Sequence, residues 1–429
     1  MTQQVLLRGA NVASTHGVEP LDILIESERI VAVAPRLADS APQAEVIDLT
    51  GLTVLPGLID AHVHLREPGG EHKEDFGSGT RAALAGGVTT VLAMPNTSPP
   101  ITNCDTFEQA NRLAAAKAVC DYGLYIGATA DNAAEAASLA DRAAGLKMYV
   151  GSSTGSLLVD HFAAQIAHFE GYPADRVIAV HAEDEAAVRY YAVRGQRRPP
   201  ICAALSVAYL LALAEQTERR LHICHVSTRA ELDLIREAKT RGVPVTCEAT
   251  PHHLFLTLEA EDRIGALAVC NPPLREQADV DALWANLDVL DIIATDHAPH
   301  TLDEKRGEQP PSGMPGLETM LPLLLSAVHE GRLTLPNVVR LTATRPAEIF
   351  GLGRKGRIES GCDADLTVVD LTARWTLGDA PLYTRCSWTP FAGREVRGRV
   401  ERVYLRGRQV FDGERVLAAP GTGQPVIDS

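Results

Sequence analysis

The sequence has too little positive charge to hold nucleic acid. Its 40 Lys and Arg are outnumbered by 55 Asp and Glu, for a net charge of −15, and nucleic-acid surfaces need basic patches. Small anionic substrates stay open, because one pocket can be locally cationic inside an acidic protein. The eight cysteines, at 104, 120, 202, 224, 247, 270, 362 and 386, include no Cys-x-x-Cys pair. Several, including Cys224, Cys247 and Cys270, lie in or beside apolar runs. That pattern reads as free buried thiols in a reducing compartment, not as disulfides or a thiolate metal site. No uncharged apolar stretch is long enough to cross a bilayer. The start, Met1-Thr2-Gln3-Gln4-Val5, lacks the basic and apolar segments of a secretion signal. A cytoplasmic protein with no membrane partner is expected. Aromatics are few, at 5%, but an apolar content of 45% supplies an ample core.

What is there is a long alternation of strand-like and helix-like segments. Residues 1–57 read as all-β, with short apolar runs at Val5–Leu7, Ile23–Ile25, Ile30–Val33, Val46–Leu49 and Leu52–Leu55 split by turn residues. These are too few to bury a core alone. The tail supplies more, at Asp365–Asp370, Val400–Arg406 and Gln409–Phe411, so both ends of the chain are expected to meet in one small β-domain. Between them lie eight apolar runs: Leu58–Leu65, Val88–Met94, Tyr122–Ala128, Leu146–Val150, Val177–His181, Leu221–Val226, Val243–Cys247 and Leu290–Thr295. The segments between them, such as Thr106–Ala118 and Asn132–Ala143, have helical composition. Eight β-then-α units predict a (β/α)8 TIM barrel over 58–352, with a small β-sandwich domain built from 1–57 and 353–429. A doubly wound sheet is the competing architecture. It fits less well, because functional-looking residues recur after nearly every run and not at one switch point.

The motif Asp60-Ala-His62-Val-His64 follows a Leu55-Pro56-Gly57 turn. On a strand, His62 and His64 point the same way, which makes half of a metal site or, blandly, two packed histidines. In a parallel barrel the strand C-termini converge on one face. The polar residues at those ends are His62, His64, Asn96, Lys147, His181, His225 and Asp296, a set that could bind two metals. His222 lies three residues before His225 and, on a regular strand, faces the other side; it reads as structural. Lys147 stands inside an apolar run. Its stem can pack while the ammonium escapes to water, or desolvation can favour a neutral amine, which reacts with carbon dioxide to give an anionic carbamate able to bridge two cations. Asp296 is either a turn former or a metal ligand that carries a proton during hydrolysis. Arg66, Asn96 and His300 could grip a carboxylate.

Taken together, Asp60-Ala-His-Val-His-Leu-Arg-Glu-Pro-Gly69, Met94-Pro-Asn-Thr97, His222-Ile-Cys-His-Val-Ser227, Cys270-Asn-Pro-Pro-Leu-Arg275 and Ala294-Thr-Asp-His-Ala-Pro-His300 resemble the dihydroorotase family of the amidohydrolase superfamily. The resemblance extends through Thr344-Arg-Pro-Ala347 to Gly361-Cys-Asp-Ala-Asp-Leu366 and so covers nearly the whole chain. It implies two zinc ions per chain, with one as the alternative. His62, His64 and Asp296 would hold the first, His181 and His225 the second, and Lys147, as its carbon dioxide-derived N6-carboxylate, would bridge them. Many long-chain bacterial relatives use an Asp as the bridge; here Gly145–Val150 and Gly151–Gly155 match the lysine pattern.

The implied reaction interconverts N-carbamoyl-L-aspartate and dihydroorotate in pyrimidine synthesis, with Asp296 as general base and acid. The resemblance counts His64 among the substrate-binding residues and puts the substrate carboxylate against Arg66, Asn96 and His300, the ring on Asn271, and its far edge on backbone groups of Ser312 and Gly313. His252 and His253 take supporting roles. Residues 300–316 read as a lid or wall. Hydantoinase and allantoinase share the metal logic and are the rival reading. A non-catalytic scaffold for aspartate transcarbamoylase is a third, weakened by the complete ligand set. A homodimer and a transcarbamoylase complex both stay open as partners.

Overall fold

The computed structural model describes residues 4–153 and 156–427. Met1 to Gln3, Asp428, Ser429, and the Thr154 and Gly155 of the lysine pattern lie outside the described residues.

The alternation closes into a (β/α)8 barrel. Its strands are Leu58–Val63, Val88–Ala93, Asp121–Leu124 continued by Ile126–Gly127, Leu146–Tyr149, Val177–His181, Arg220–Ile223, Val245–Ala249 and Ile292–Ile293. Neighbours pair in parallel around the ring, and a bridge from Val63 to His297 joins the last strand to the first. The third strand changes partner at Tyr125: Asp121–Leu124 pairs with the second strand, Ile126–Gly127 with the fourth.

Burial on both faces explains why these runs carry so few polar residues. Outward side chains such as Leu146, Met148, Ile178, Val180, Val245 and Cys247 pack under the helices. Inward ones, among them Ile59, Ala61, Leu92, Tyr125, Ala179 and Ile292, fill the barrel together with Phe350 and Leu352. An irregularity between Asp60 and Val63 in the first strand brings both Ala61 and His62 inward, the effect of one extra residue in a ladder.

Both chain ends build one eight-stranded sheet. Thr53–Pro56 pairs antiparallel with Leu366–Thr376, and Glu395–Leu405 and Arg408–Phe411 extend the sheet on that side. Gln4–Ala13, Val18–Glu26 and Arg29–Ala34 extend it on the other. A charged seam fastens this domain to the barrel floor. The Lys355 ammonium, 8% exposed, lies 2.6 Å from both Asp121 and Asp365 and 3.1 Å from Asp363, while Arg406 pairs with Asp121.

Three expectations shift. The helix expected over Asn132–Ala143 spans only Ala133–Ser138, because Leu139 and Ala140 turn down into the core. The eighth run narrows to Ile292–Ile293. Helix Pro200–Thr217 does have the length and hydropathy of a membrane-crossing segment, although one side of it, including Cys202, Val207 and Leu210, is buried against the barrel.

Candidate active site

The candidate ligands gather towards the C-terminal ends of the strands: His62, Lys147 and His181 still lie within theirs, and His64, His225 and Asp296 follow just beyond. Arg66, His225 and Asp296 have positive φ, at 62°, 38° and 46°. Left-handed backbone is costly for such residues and collects at functional sites. It also explains the sixth strand: His222 faces the interior by alternation, and His225 would face outward but for its left-handed turn. Both therefore reach the interior, contrary to the expectation from a regular strand.

His62 and His64 converge on Asp296. Its Oδ1 lies 3.3 Å from His62 Nε2 and 3.0 Å from His64 Nε2. Each ring is set from its other nitrogen, His62 Nδ1 by Glu248 at 2.5 Å and His64 Nδ1 by Asn96 Oδ1 at 2.7 Å. Beside them, His181 Nδ1 faces His225 Nε2 at 3.0 Å, and the His62 and His225 rings are 5.5 Å apart. Lys147, fully buried, has its amine 3.0 Å from Cys224 Sγ and 5.1 Å from the Tyr149 ring. Its charge disfavours protonation of His62, His181 and His225.

The electrostatics divide these groups. Burial and Lys147 oppose a charge on His62, but Glu248 and Asp296 outweigh them and raise it to about 10. Burial lowers His64 to about 4 and depresses His181 and His225. Burial would raise the Asp296 carboxyl, yet His62, His64 and His225 hold it well below the usual range. The result is a carboxylate and three neutral imidazoles around one protonated ring, whose proton a cation would replace. The donors suit one: His225 Nδ1 is buried with no hydrogen-bond partner, and the nitrogen and carboxylate atoms stand at 3.0–3.3 Å, a spacing that bonds of about 2.0–2.1 Å can span.

A small cavity opens on this cluster, lined by His64, Arg66, Asn96, Ser153, Asn271, Asp296, Ala298, Ser312 and Gly313. His300 stands behind it, its Nε2 3.1 Å from both Arg66 Nη2 and the Ser312 carbonyl. Burial and the cations Arg66, Lys73 and Lys305 lower His300 to about 2, so it is neutral. Arg66, itself buried, donates from Nε to the Pro299 carbonyl. Gly313 is required here: at φ 135° a Cβ would meet the Ala298 carbonyl at 2.5 Å. Residues 300–316 border the cavity through Ser312 and Gly313. The buried Lys305 in helix Leu302–Lys305 donates to the carbonyls of Val269, Pro311 and Gly313 at 2.9–3.0 Å.

Sequence reasoning missed the groups behind the ligands. Glu248 accepts from His62, His222 Nε2 and the His225 amide. Asp60 accepts from Thr295 and the His62 amide. Glu183 stands 3.2 Å from His181 Nε2 and takes the Arg198 guanidinium. A signal exists: a carboxylate within a buried strand is as unusual as Lys147, but the apolar run Val243–Cys247 stops one residue short of Glu248. His252 and His253 are buried; His253 bonds Thr250 and the Pro272 carbonyl.

Residues 53–410 match the amidohydrolase family. A dihydroorotase from Halobacterium salinarum is 41% identical over 417 residues, covering 93% of this chain and 95% of that one. The multifunctional protein CAD of Squalus acanthias is 45% identical over 412 residues, and the chain spans only 17% of its length. Among solved structures, the L-hydantoinase (dihydropyrimidinase) of Arthrobacter aurescens superposes with a TM-score of 0.94 at 29% identity, over 99% of both chains.

Proposed function

The chain belongs to the amidohydrolase family, and from that premise we propose that it is a metal-dependent dihydroorotase, interconverting N-carbamoyl-L-aspartate and dihydroorotate plus water. One observation carries the choice of substrate. The cavity against the candidate metal ligands is lined by a buried guanidinium, Arg66, together with Asn96 and Asn271. A carboxylate-bearing ring needs that cation, whereas a hydantoin or allantoin ring carries no carboxylate to meet it. The dihydroorotase relatives fit this reading better than the hydantoinases, whose likeness is strongest in overall shape.

His62, His64 and Asp296 would hold one zinc, His181 and His225 a second, and Lys147 would bridge them once its amine has taken up carbon dioxide as a carbamate, releasing a proton. When bound, zinc supplies a Lewis acid that polarises the ring carbonyl and brings the pKa of water near neutrality. The protein's own groups do the rest. Arg66 orients the exocyclic carboxylate by its planar fork, with His300 and Lys73 packed behind it. Asn271 and the Ser312–Gly313 backbone take the ring's amide edge. As water adds to the acyl carbon, Asp296 accepts its proton and returns it to the ring nitrogen as the carbon–nitrogen bond breaks. Ring closure reverses these steps. All eight cysteines are free, which suits a reducing cytoplasm. A complex with aspartate transcarbamoylase is tested by co-sedimentation.

The test is a spectrophotometric dihydroorotate assay on the purified chain, with metal analysis and mass measurement of Lys147 with and without bicarbonate. Arg66→Ala is expected to lose at least about 100-fold in kcat/KM, some 2.7 kcal/mol, while keeping its metal. Undiminished turnover by that variant, or faster hydrolysis of an uncharged hydantoin by the native chain, would overturn the assignment.

A further inference from the structure

Lys73 lies in the loop between the first barrel strand and helix Phe76–Ala85, and no step of the proposed chemistry uses its charge. Its side chain is nevertheless only 19% exposed, with the ammonium held 2.9 Å from Glu304 Oε1 in helix Leu302–Lys305. From there it reaches Nδ1 of His300 at 3.2 Å, against a ring that is fully buried. One contact thus ties the loop after the first strand to the segment after the eighth, beside the cavity.

That contact decides where the His300 proton sits. An ammonium has three donors and no acceptor, so Nδ1 must offer it a lone pair. Burial among cations keeps the ring neutral, and a neutral imidazole has a single N–H, which is therefore on Nε2. There it donates to the Ser312 carbonyl at 3.1 Å. Arg66 Nη2 is also 3.1 Å from Nε2, but it is a donor too, and the protonated nitrogen gives it nothing to bond. The same surroundings would accommodate the opposite tautomer. Nδ1–H would then face Glu304 Oε2, 3.8 Å away, while Nε2 would accept from Arg66 and no longer donate to the Ser312 carbonyl. The two arrangements differ in whether Arg66 Nη2 is consumed by His300.

We propose that Lys73 is a positioning residue: it holds His300 in the Nε2–H tautomer and so keeps Arg66 Nη2 available for the substrate carboxylate. The identity of that carboxylate rests on the dihydroorotase reading; the tautomer does not. Arg66 Nε is already taken by the Pro299 carbonyl, so the guanidinium has a donor fewer to lose. A hydrogen bond between charged partners is worth about 10-fold or more in affinity.

The experiment is nitrogen NMR of the full-length chain labelled with 15N-histidine, without substrate, the His300 signals being assigned by their loss in His300→Gln. In the native chain Nδ1 should have the shift of an unprotonated nitrogen and Nε2 that of a protonated one. Lys73→Met should reverse them, and Lys73→Arg, which restores a cationic donor, should return them. In turnover, Lys73→Met should raise KM for dihydroorotate about 10-fold, with kcat and metal content little changed. The charged groups then facing the ring are Arg66, Lys305 and Glu304. With Lys73 gone, the ring's affinity for a second proton rises towards its ordinary value of 6.5, and a doubly protonated ring again carries Nε2–H. The KM defect should therefore shrink as pH falls, which the loss of a merely structural ion pair with Glu304 would not produce. A native ring protonated on Nδ1, a Lys73→Met chain that keeps the native tautomer, or a KM defect indifferent to pH overturns the proposal. A native chain with the expected tautomer but no dihydroorotate turnover supports the role of Lys73 and overturns only the choice of substrate.

Discussion

Glu248→Gln tests how far the proposed metal site depends on groups outside its proposed ligand set. One Glu248 oxygen accepts from His62 Nδ1 at 2.5 Å and from the His225 amide at 3.1 Å, and the other accepts from His222 Nε2 at 3.1 Å. Three donors thus meet two oxygens in a side chain that is 1% exposed. Gln has the same shape but only one acceptor oxygen. Its NH2 must face a donor, whichever way the amide is turned. Facing His62, it forces the ring to move its proton to Nε2, the nitrogen aimed at Asp296 and needed as a lone pair for the cation. Losing such a partner typically weakens metal binding about 10- to 100-fold, or about 1.4–2.7 kcal/mol. The assay is zinc retention against a graded chelator, read by elemental analysis, with kcat followed in parallel. The variant should release zinc at a correspondingly lower chelator concentration and regain turnover when zinc is added in excess. A folded variant that keeps zinc as tightly as the native chain would refute the reasoning, since His62 would then need no help from Glu248.

Lys305→Met should leave three carbonyls without their donor, each costing about 1–3 kcal/mol if it stays buried. A several-fold rise in KM for dihydroorotate and faster proteolysis within 306–311 should follow, with metal content unchanged; an unaltered KM would mean the wall stands without its staple. Lys355→Ala strips the shared cation from Asp121, Asp363 and Asp365 and should destabilise the chain by about 3–5 kcal/mol in denaturant titration, whereas a loss under 1 kcal/mol would show that the seam is ornamental. Glu318 is raised by burial from 4.5 to about 7, against hydrogen bonds from the Tyr383 and Thr384 amides. The folded state therefore holds a proton that the unfolded chain gives up above 4.5. Its contribution is complete below that pH and is lost as pH rises towards 7, by at most about 3 kcal/mol. Urea midpoints at pH 5 and pH 8 should differ less in Glu318→Gln than in the native chain; equal slopes would remove Glu318 from the account.

The barrel was legible because strands buried on both faces must be apolar along their whole length, and few other segments of the chain are. Strand limits were less so, since hydropathy continues past the last ladder bond: the eighth run reads from Leu290 to Thr295, while the ladder holds only Ile292 and Ile293. Residues such as His62, Lys147 and Asp296 stood out because a titratable group at the end of an apolar run needs a reason. Glu248 and Glu183 have one too, but their reason lies in the partner each holds, His62 and His181, and sequence distance conceals such pairs. The inward turn of His225 is a backbone property, φ 38°, that no side-chain pattern announces.

The sheet shared by the two chain ends constrains how the molecule can be made. Thr53–Pro56 leaves the ribosome early, and its neighbour Leu366–Thr376 emerges only after the whole barrel has been synthesised. Until then the first strands carry an open edge, and such an edge invites pairing with other nascent chains. A premature stop just before Leu366 would spare the residues proposed for catalysis yet leave that edge unpaired, so quality control during translation, and not chemistry, would decide the fate of the product.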